Sequence, residues 1–181
     1  MAKVLAHTTM SLDGFIAGPN DEMDWVFDYA GDVPSELVDE VIATTGAILG
    51  GRRGYEVGRR AERPETSKPF GGRWSGPIFI LTHRPPDETD PAYTFVSGDV
   101  REAVTEALAA AQGRNLLVLG ASVVDQCLRD GLIDEILIHL VPVLLGDGVR
   151  LFGEPRVSAR LETLEASASG PVVNLRYRVL E

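Results

Sequence analysis

Short runs of aliphatic and β-branched residues alternate along this chain with segments of helical periodicity. Residues 4–9, 47–49, 78–82 and 116–119 are typical of buried strands. Between several of these runs, apolar residues recur every three or four positions, which indicates helices. Strands and helices in alternation predict an α/β fold with a largely parallel central sheet.

Several helices can be placed by the residues at their starts. Asp99 is a predicted N-cap, because Glu102 follows three residues later and an apolar stripe runs through residues 100–111. An earlier helix is predicted to have Asp32 as its N-cap and Pro34 in its first turn. Shorter helices are expected over residues 54–60 and 122–129, and a long Pro- and Gly-rich loop over residues 61–76.

The last part of the chain loses the helical signals. Residues 136–141, 161–169 and 172–180 are predicted strands with few helical signals between them, so antiparallel pairing is expected. Residues 172–180 alternate apolar and polar side chains, so one face should pack on the core while the other meets solvent or a partner. Because the sequence shows no internal repeat or linker, we expect one domain, residues 1–181.

Acidic residues outnumber basic ones over the chain as a whole. The 17 Lys and Arg residues against 27 Asp and Glu residues give a formal charge of −10, which disfavours binding to nucleic acid or to an anionic membrane surface. No run approaches the ~20 apolar residues that a membrane-spanning helix needs. The single cysteine, Cys127, and the lack of an apolar leader favour a reducing, cytoplasmic setting.

Several common catalytic signatures are missing from the sequence. It contains no nucleophile elbow, no Walker A motif, no C-x-x-C and no H-E-x-x-H. His7, His83 and His139 are widely separated, so no metal site is predicted. Cys127 falls on the apolar face of a predicted helix and is expected to be a buried, unreactive thiol.

Residues suited to binding phosphate follow three of the predicted strands. Because ligands of open α/β sheets bind beyond the carboxyl ends of strands, these residues are expected to share one edge. Glycines allow close backbone approach, a helix start offers free N–H groups, and guanidinium groups bind phosphate in bidentate fashion. Together they suit a dinucleotide with an extra phosphate. The residues are Gly50-Gly51-Arg52-Arg53, Thr82-His83-Arg84 and Gly120-Ala121-Ser122.

A simpler interpretation of the same residues stays open at this point. Fifteen of the 17 basic residues are arginine, so Arg52 and Arg53 could be a solvated surface pair. Gly120 could simply cap a turn, and the lack of an intact G-x-G-x-x-G motif argues against an ordinary Rossmann domain. The three strand ends taken together favour the phosphate site.

The order of motifs resembles the dihydrofolate reductase fold family, which includes the reductase domain of riboflavin biosynthesis and small related reductases. The resemblance spans nearly the whole chain and implies a three-layer α/β fold. In that fold a mixed, mostly parallel central sheet ends in antiparallel C-terminal strands and is flanked by helices. The resemblance rests on residues 10–17 (MSLDGFIA), Trp25, and residues 49–56 (LGGRRGYE), 80–84 (ILTHR), 118–122 (VLGAS), 131–135 (GLIDE) and 141–148 (VPVLLGDG).

The same resemblance implies a site for NADPH, which family members bind across the sheet. Thr9 and Ile16 would contact the nicotinamide half of the cofactor. Arginine rather than an acidic residue near the ribose favours NADP over NAD. The 2′-phosphate would be bound by Arg52 and Arg53 with Thr82, His83 and Arg84, close to Gly51, and the pyrophosphate by Gly120, Ala121, Ser122 and Val123.

Dihydrofolate reductases place an acidic side chain early in the first helix, where it organises the substrate. The matching position here is Ser35, with Glu36 beside it. Helical spacing predicts that Ser35 points inward and Glu36 outward. Asp24, next to Trp25, is a second candidate. The predicted catalytic residues are therefore Asp24, Trp25 and Glu36, and a solvated surface charge is the alternative for each carboxylate.

The resemblance implies transfer of a hydride from NADPH to a small heterocycle, similar to a pterin or a pyrimidine. Riboflavin-pathway reductases carry an acidic residue where this chain has Val118, so a ribosylated pyrimidine is only weakly supported. A non-catalytic module that binds NADP(H) or another ligand is the alternative. A homodimer is expected, because the last strands leave an open edge and an alternating face.

Overall fold

The structure is a computed structural model that describes residues 1–60, 68–87, 90–154 and 157–180. Its strands are β1 (Val4–Ser11), β2 (Phe15–Ala17), β3 (Thr45–Gly51), β4 (Ile78–Leu81), β5 (Tyr93–Val96), β6 (Asn115–Leu119), β7 (Glu135–Val141), β8 (Val149–Arg150), β9 (Arg160–Ser169) and β10 (Val172–Leu180). Its α-helices are α1 (Asp24–Phe27), α2 (Ser35–Thr44), α3 (Arg52–Arg60), α4 (Val100–Ala110) and α5 (Ala121–Arg129). In these ranges no helix is long and apolar enough to cross a bilayer.

Eight of the strands form one sheet in the order β5-β4-β3-β6-β1-β7-β10-β9. The first six of these run parallel to one another, whereas β10 and β9 join antiparallel. Strands β2 and β8 form a separate antiparallel pair. The predicted fold class is therefore confirmed. The parallel strands all end at the same edge of the sheet, which is where open α/β sheets bind ligands.

Apolar side chains cover both faces of the sheet and make three layers. On one face, the apolar stripes of α4 and α5 pack against strand residues such as Leu49 and Val118. On the other face, Leu37 and Val41 of α2 pack against the buried leucines of β1, β6 and β7. Cys127 belongs to the first cluster, so its predicted burial is confirmed, and burial raises the pKa of its thiol to about 12.

The helix starts were predicted with mixed success. Asp99 caps α4 as expected, because its carboxylate accepts a hydrogen bond from the Glu102 amide at 2.8 Å. Asp32 does not cap α2; it lies in a short 3₁₀ turn, Ala30–Asp32, and α2 begins only after Pro34. The reason is steric, since a residue before proline is pushed out of the helical region, and Val33 is extended.

Two other local predictions need correction. Helix α3 begins at Arg52, two residues earlier than expected, so Arg52 and Arg53 lie in its first turn. Residues 69–72 of the predicted long loop form a 3₁₀ turn, and Trp74 is buried with its indole N–H donating to the Thr45 carbonyl at 3.1 Å. Residues 61–67 of that loop lie outside the described residues.

A buried carboxylate ties α2 to the sheet. Glu135 of β7 is 2% exposed, pairs with Lys3 and accepts a hydrogen bond from Arg176 Nε at 2.8 Å. The same guanidinium reaches Glu40 of α2 at 2.8 Å. Burial raises the pKa of Glu135, but the hydrogen bonds from Lys3 and Arg176 outweigh it, so the pKa is lowered overall. The carboxylate is therefore ionised and held by two cations.

We expect Glu135→Gln to lower the free energy of unfolding by roughly 2–3 kcal/mol, because it leaves two cations without their buried anion. Glu162→Gln is the matched control, since Glu162 and Arg178 are both half exposed. Its effect should stay below about 1 kcal/mol. Urea unfolding of the two variants measures both values, and equal losses would contradict the structural role given to Glu135.

Candidate functional site

The three strand ends predicted to bind phosphate lie side by side. Strands β4, β3 and β6 are adjacent and parallel, so the residues that follow them leave the sheet at one edge. The guanidinium of Arg52 donates to the carbonyl oxygen of Arg84, which joins the first two ends. A Cβ placed on Gly51 would lie only 3.2 Å from Val123 Cγ2, so the end of β3 contacts the first turn of α5. We call this edge the strand-end rim.

Helix α5 presents backbone amides at the strand-end rim. It follows Gly120, whose φ of +89° is a conformation that favours glycine, and no described side chain caps its start. The Val124 amide donates to the Gly120 carbonyl at 3.1 Å. The amides of Ala121, Ser122 and Val123 precede the first intrahelical bond, so they are available to an anion.

The arginines of the rim are held by acidic neighbours. Arg52 donates from Nε to Glu56 at 2.6 Å, and Arg53 pairs with Asp21. Their side chains are 42% and 64% exposed, so a ligand can reach both. A guanidinium carries five donors, and the bonds of Arg52 to Glu56 and Arg84 use only two of its nitrogens. Arg52 can therefore keep these partners and still donate hydrogen bonds to a phosphate.

The turn after β4 is shaped by a single hydroxyl. The hydroxyl of Thr82 donates to the Arg84 carbonyl at 3.2 Å and accepts from the Arg84 amide at 3.1 Å. Thr82 is buried, whereas His83 and Arg84 are exposed. Thr82 therefore fixes the turn, and His83 and Arg84 are the residues that this turn offers to a ligand.

An open surface depression of about 470 Å³ lies beside this turn. Its size suits a nucleoside-sized group. Gln126 lines it and also donates to the hydroxyl of Ser122 at 3.3 Å, so one lining residue contacts the first turn of α5. The full lining is His83, Gly98, Asp99, Val100, Gln126, Arg129 and Asp130.

Thr9 and Ile16, the predicted nicotinamide contacts, lie on β1 and β2 around a turn that Asp13 holds. Asp13 accepts hydrogen bonds from the Ser11 hydroxyl at 2.7 Å and from the amides of Leu145 and Gly146 at 3.1 and 2.8 Å. The hydrogen bond from Ser11, with those from the two amides, lowers its pKa to about 2. Asp13 therefore joins residues 10–17 to residues 141–148 by hydrogen bonds, and both segments are motifs that carry the family resemblance.

The predicted catalytic residues lie on α1 and α2. Asp24 is exposed, and Trp25 is half-buried with its indole N–H donating to the Glu22 carbonyl at 3.2 Å. Glu36 is exposed and accepts from the Ser35 hydroxyl at 3.3 Å. Ser35 is itself exposed, so the expectation that it points inward is wrong; Leu37 and Val41 form the inner face of α2. Catalytic roles for Asp24, Trp25 and Glu36 stay predictions.

Two histidines that sequence analysis set aside are paired in the structure. His7 Nε2 lies 2.7 Å from His139 Nε2, and His139 Nδ1 lies 2.7 Å from the side-chain oxygen of Asn174. Spacing along the chain hid this pair, because β1 and β7 are neighbours in the sheet although 132 residues separate the rings. Across the described residues, no group of three or more His, Cys, Asp or Glu side chains is placed to hold a metal ion.

Burial keeps both imidazoles neutral. Burial, together with smaller contributions from the neighbouring His139 and Arg176, lowers the pKa of His7 to about 3. Burial also lowers the pKa of His139, and the hydrogen bond with Asn174 offsets only part of that effect. At neutral pH this pair is therefore uncharged, and each ring has one N–H donor and one lone-pair acceptor.

Comparison with known proteins shows which family and which solved structures this chain resembles. The family described as RibD C-terminal domain matches residues 2–175. The uncharacterised protein YwjB of Bacillus subtilis is 27% identical over 176 residues, 97% of each chain. A Shewanella sp. PV-4 protein named for riboflavin biosynthesis has a TM-score of 0.80 at 22% identity, with 99% of each chain covered.

A two-function enzyme shares the fold over part of its length. It is the diaminohydroxyphosphoribosylaminopyrimidine deaminase and 5-amino-6-(5-phosphoribosylamino)uracil reductase of Thermotoga maritima, with a TM-score of 0.68 at 15% identity. The match covers 99% of this chain and 57% of that one. These solved structures have a dihydrofolate reductase-like fold, as expected from the motifs.

The histidine pair predicts a pH dependence of stability. An unfolded histidine has a pKa near 6.5, whereas the folded His7 has a pKa of about 3, so the unfolded chain binds more protons between these values. The free energy of unfolding should therefore fall as the pH drops below about 6.5, by on the order of 1 kcal/mol per pH unit. Urea unfolding between about pH 7.5 and 5.5 measures this slope above the range in which carboxylates titrate.

The exposed His83 supplies the control. His83→Gln should keep the wild-type slope, whereas His7→Gln/His139→Gln should flatten it. If the double variant loses stability with falling pH as steeply as wild type, His7 and His139 are not the source of the pH dependence.

Proposed function

Because the chain belongs to the RibD C-terminal domain family, we propose that it is an NADPH-dependent reductase acting on a small heterocycle of the pyrimidine or pterin kind. The observation that carries the proposal is the convergence of three phosphate-suited segments at the strand-end rim. The family makes reductase chemistry the expected activity, and the rim supplies groups that fit this cofactor.

The residues of the rim match NADPH group by group. The amides of Ala121, Ser122 and Val123, opened by Gly120, fit the pyrophosphate. The adenosine would lie against the open depression beside His83. The 2′-phosphate would be bound by Arg52 and Arg53 with the turn Thr82-His83-Arg84, close to Gly51, and the nicotinamide by Thr9 and Ile16.

Charge favours the phosphorylated cofactor. The whole chain has a formal charge of −10, yet two exposed guanidinium groups and three open amides lie together at this rim. Arginines at this position suit the 2′-phosphate of NADP, whereas an acidic residue would suit the ribose of NAD. When bound, the cofactor supplies the hydride. The chain orients it against the substrate and excludes water.

The proposed setting is the cytoplasm, where a reductase has access to NADPH. The proposed substrate class follows the relatives, since the Thermotoga maritima protein is named as a 5-amino-6-(5-phosphoribosylamino)uracil reductase. Asp24, Trp25 and Glu36 stay the proposed catalytic residues on α1 and α2.

We expect the double substitution Arg52→Ala/Arg53→Ala to weaken NADPH binding by at least about 100-fold, because each arginine loses a charged hydrogen bond to phosphate that contributes about 1.5–3 kcal/mol. NADH binding should change less than threefold. Fluorescence titration with both cofactors measures the ratio. Arg178→Ala is the matched control, because Arg178 lies on β10 with Glu162 as its partner. Equal NADPH affinity in wild type and double variant would remove the argument for the 2′-phosphate.

Turnover separates the reductase from a module that only binds the cofactor. Absorbance of NADPH would be followed with a panel of pterins, pyrimidines, flavins and quinones. Steady oxidation with a pyrimidine or a pterin is the expected result. Tight binding of NADPH without turnover on any compound would favour the non-catalytic alternative.

We also propose a homodimer that covers the β9 edge of the sheet. Strand β9 is the last strand of the sheet, it is ten residues long, and nearly all of it is exposed. Apolar side chains lie exposed along it and on its neighbour, including Leu161, Leu164, Val173 and Leu180. An open edge of this length with apolar side chains is a surface that proteins usually cover.

The expected mass at micromolar concentration is that of two chains. Leu161→Glu should shift the protein toward the monomer, because it places a charge on the covered surface. The neighbouring Glu162→Gln should leave the mass unchanged. Analytical ultracentrifugation measures all three proteins, and a monomeric wild type would contradict the dimer.

A further inference from the structure

Three polar side chains form a hydrogen-bonded chain on the α2 face of the sheet, and the proposed cofactor contacts do not use them. His7, His139 and Asn174 lie on the adjacent strands β1, β7 and β10. In the parallel register, Thr9 pairs with His139, so these two residues lie side by side on one face. The histidine chain is therefore next to a residue proposed to contact the nicotinamide.

The hydrogen bonds fix the proton positions along this chain. The side-chain oxygen of Asn174 can only accept, so His139 carries its proton on Nδ1. His139 Nε2 is then a lone pair, and it accepts from His7 Nε2 at 2.7 Å. His7 consequently has a lone pair on Nδ1. The chain of bonds ends in one acceptor atom on the only member of the three that is partly exposed.

This arrangement is unfavourable as a purely structural element. His139 is 4% exposed and Asn174 is 1% exposed, and the Asn174 side-chain nitrogen has no hydrogen-bond partner among the described residues. A buried amide left without a partner is destabilising, and apolar side chains of similar shape would avoid that penalty. A role for His7, the partly exposed end of the chain of hydrogen bonds, explains why the buried end is polar.

We propose that His7 recognises the substrate of this reductase, accepting at Nδ1 a hydrogen bond from a ring N–H of a neutral, uracil-like heterocycle. His139 and Asn174 are positioning residues that hold His7 in the required tautomer. This inference rests on the proposed function for the place and class of the substrate. It adds the recognition residue, which the family resemblance assigned to a carboxylate near Ser35.

The surroundings of His7 support a neutral acceptor. Its ring lies nearly parallel to that of Phe70, with centroids 6.0 Å apart and 17° between planes, so one flank is apolar. Among the charged groups on this face, Arg176 pairs with Glu135 and Glu40, and Lys3 pairs with Glu135. A pKa of about 3 keeps the His7 ring uncharged at neutral pH. Such a site should therefore bind a neutral ring N–H donor in preference to a cationic donor.

The first test reads the tautomers directly. Nitrogen-15 NMR of the imidazoles at pH 7.5 should show His7 as the neutral Nε2–H form and His139 as the neutral Nδ1–H form. Asn174→Leu should abolish the single tautomer of His139, whereas Asn174→Asp, which offers the same acceptor, should restore it. A protonated pair, or tautomers that do not respond to Asn174→Leu, would overturn the positioning roles.

The second test uses uracil and 1,3-dimethyluracil as matched probes that differ in the ring N–H donors. Uracil should shift the His7 imidazole signals and bind at least tenfold more tightly than the dimethylated ring. His7→Phe should remove that preference. Thr8→Val, whose side chain is on the opposite face of β1, should retain it. Thermal unfolding of each variant verifies that it is folded.

The outcomes separate this inference from the proposed function. A protein that binds NADPH but shows no uracil-dependent shift at His7 overturns the recognition role and leaves the cofactor proposal intact. A protein in which uracil shifts His7 but Arg52→Ala/Arg53→Ala leaves NADPH binding unchanged supports the recognition role and contradicts the cofactor site. Equal binding of the two probes in wild type overturns the inference.

Discussion

Parallel pairing of six strands is the constraint on which the rest of this structure depends. Parallel strands need crossovers, and here the crossovers place α4 and α5 on one face of the sheet and α2 on the other. The same geometry brings the carboxyl ends of β4, β3 and β6 to one edge. The strand-end rim therefore contains Arg52, His83 and Ser122, which are far apart along the chain. The order of the strands alone brings them to one edge.

An acidic chain has to hold a cationic rim in place when no anion is bound. The structure does so with nearby carboxylates: Glu56, one turn along the same helix, holds Arg52, and Asp21 holds Arg53. Both pairs are partly exposed, so each contributes little to stability and leaves its guanidinium open to a ligand phosphate. The buried pair of Glu135 with Arg176 is different in kind, because it lies between α2 and the sheet and serves the fold.

Local signals predicted most of the elements, and they failed where the backbone itself intervened. Asp99 and Glu102 predicted the start of α4, because a cap and its partner are neighbours in sequence. The prediction that Asp32 caps α2 was wrong, because Pro34 forces the residue before it out of the helical region. This steric effect is stronger than the preference for an acidic cap. The phosphate-suited strand ends could be predicted because each motif lies within a few residues of its strand.

The histidine pair shows what such signals cannot reach. Its hydrogen bond depends on which strands are neighbours and on their register, and both are properties of the whole sheet. A shift of β7 by one residue would move His139 to the opposite face and leave His7 without its partner. The sequence did contain one indication of the pair, a histidine on each of two predicted strands. These are β1 and β7, the first and the last of the parallel strands along the chain. Since the sheet fixes this register through many apolar contacts, a polar pair can be held in a buried position that it could not stabilise by itself.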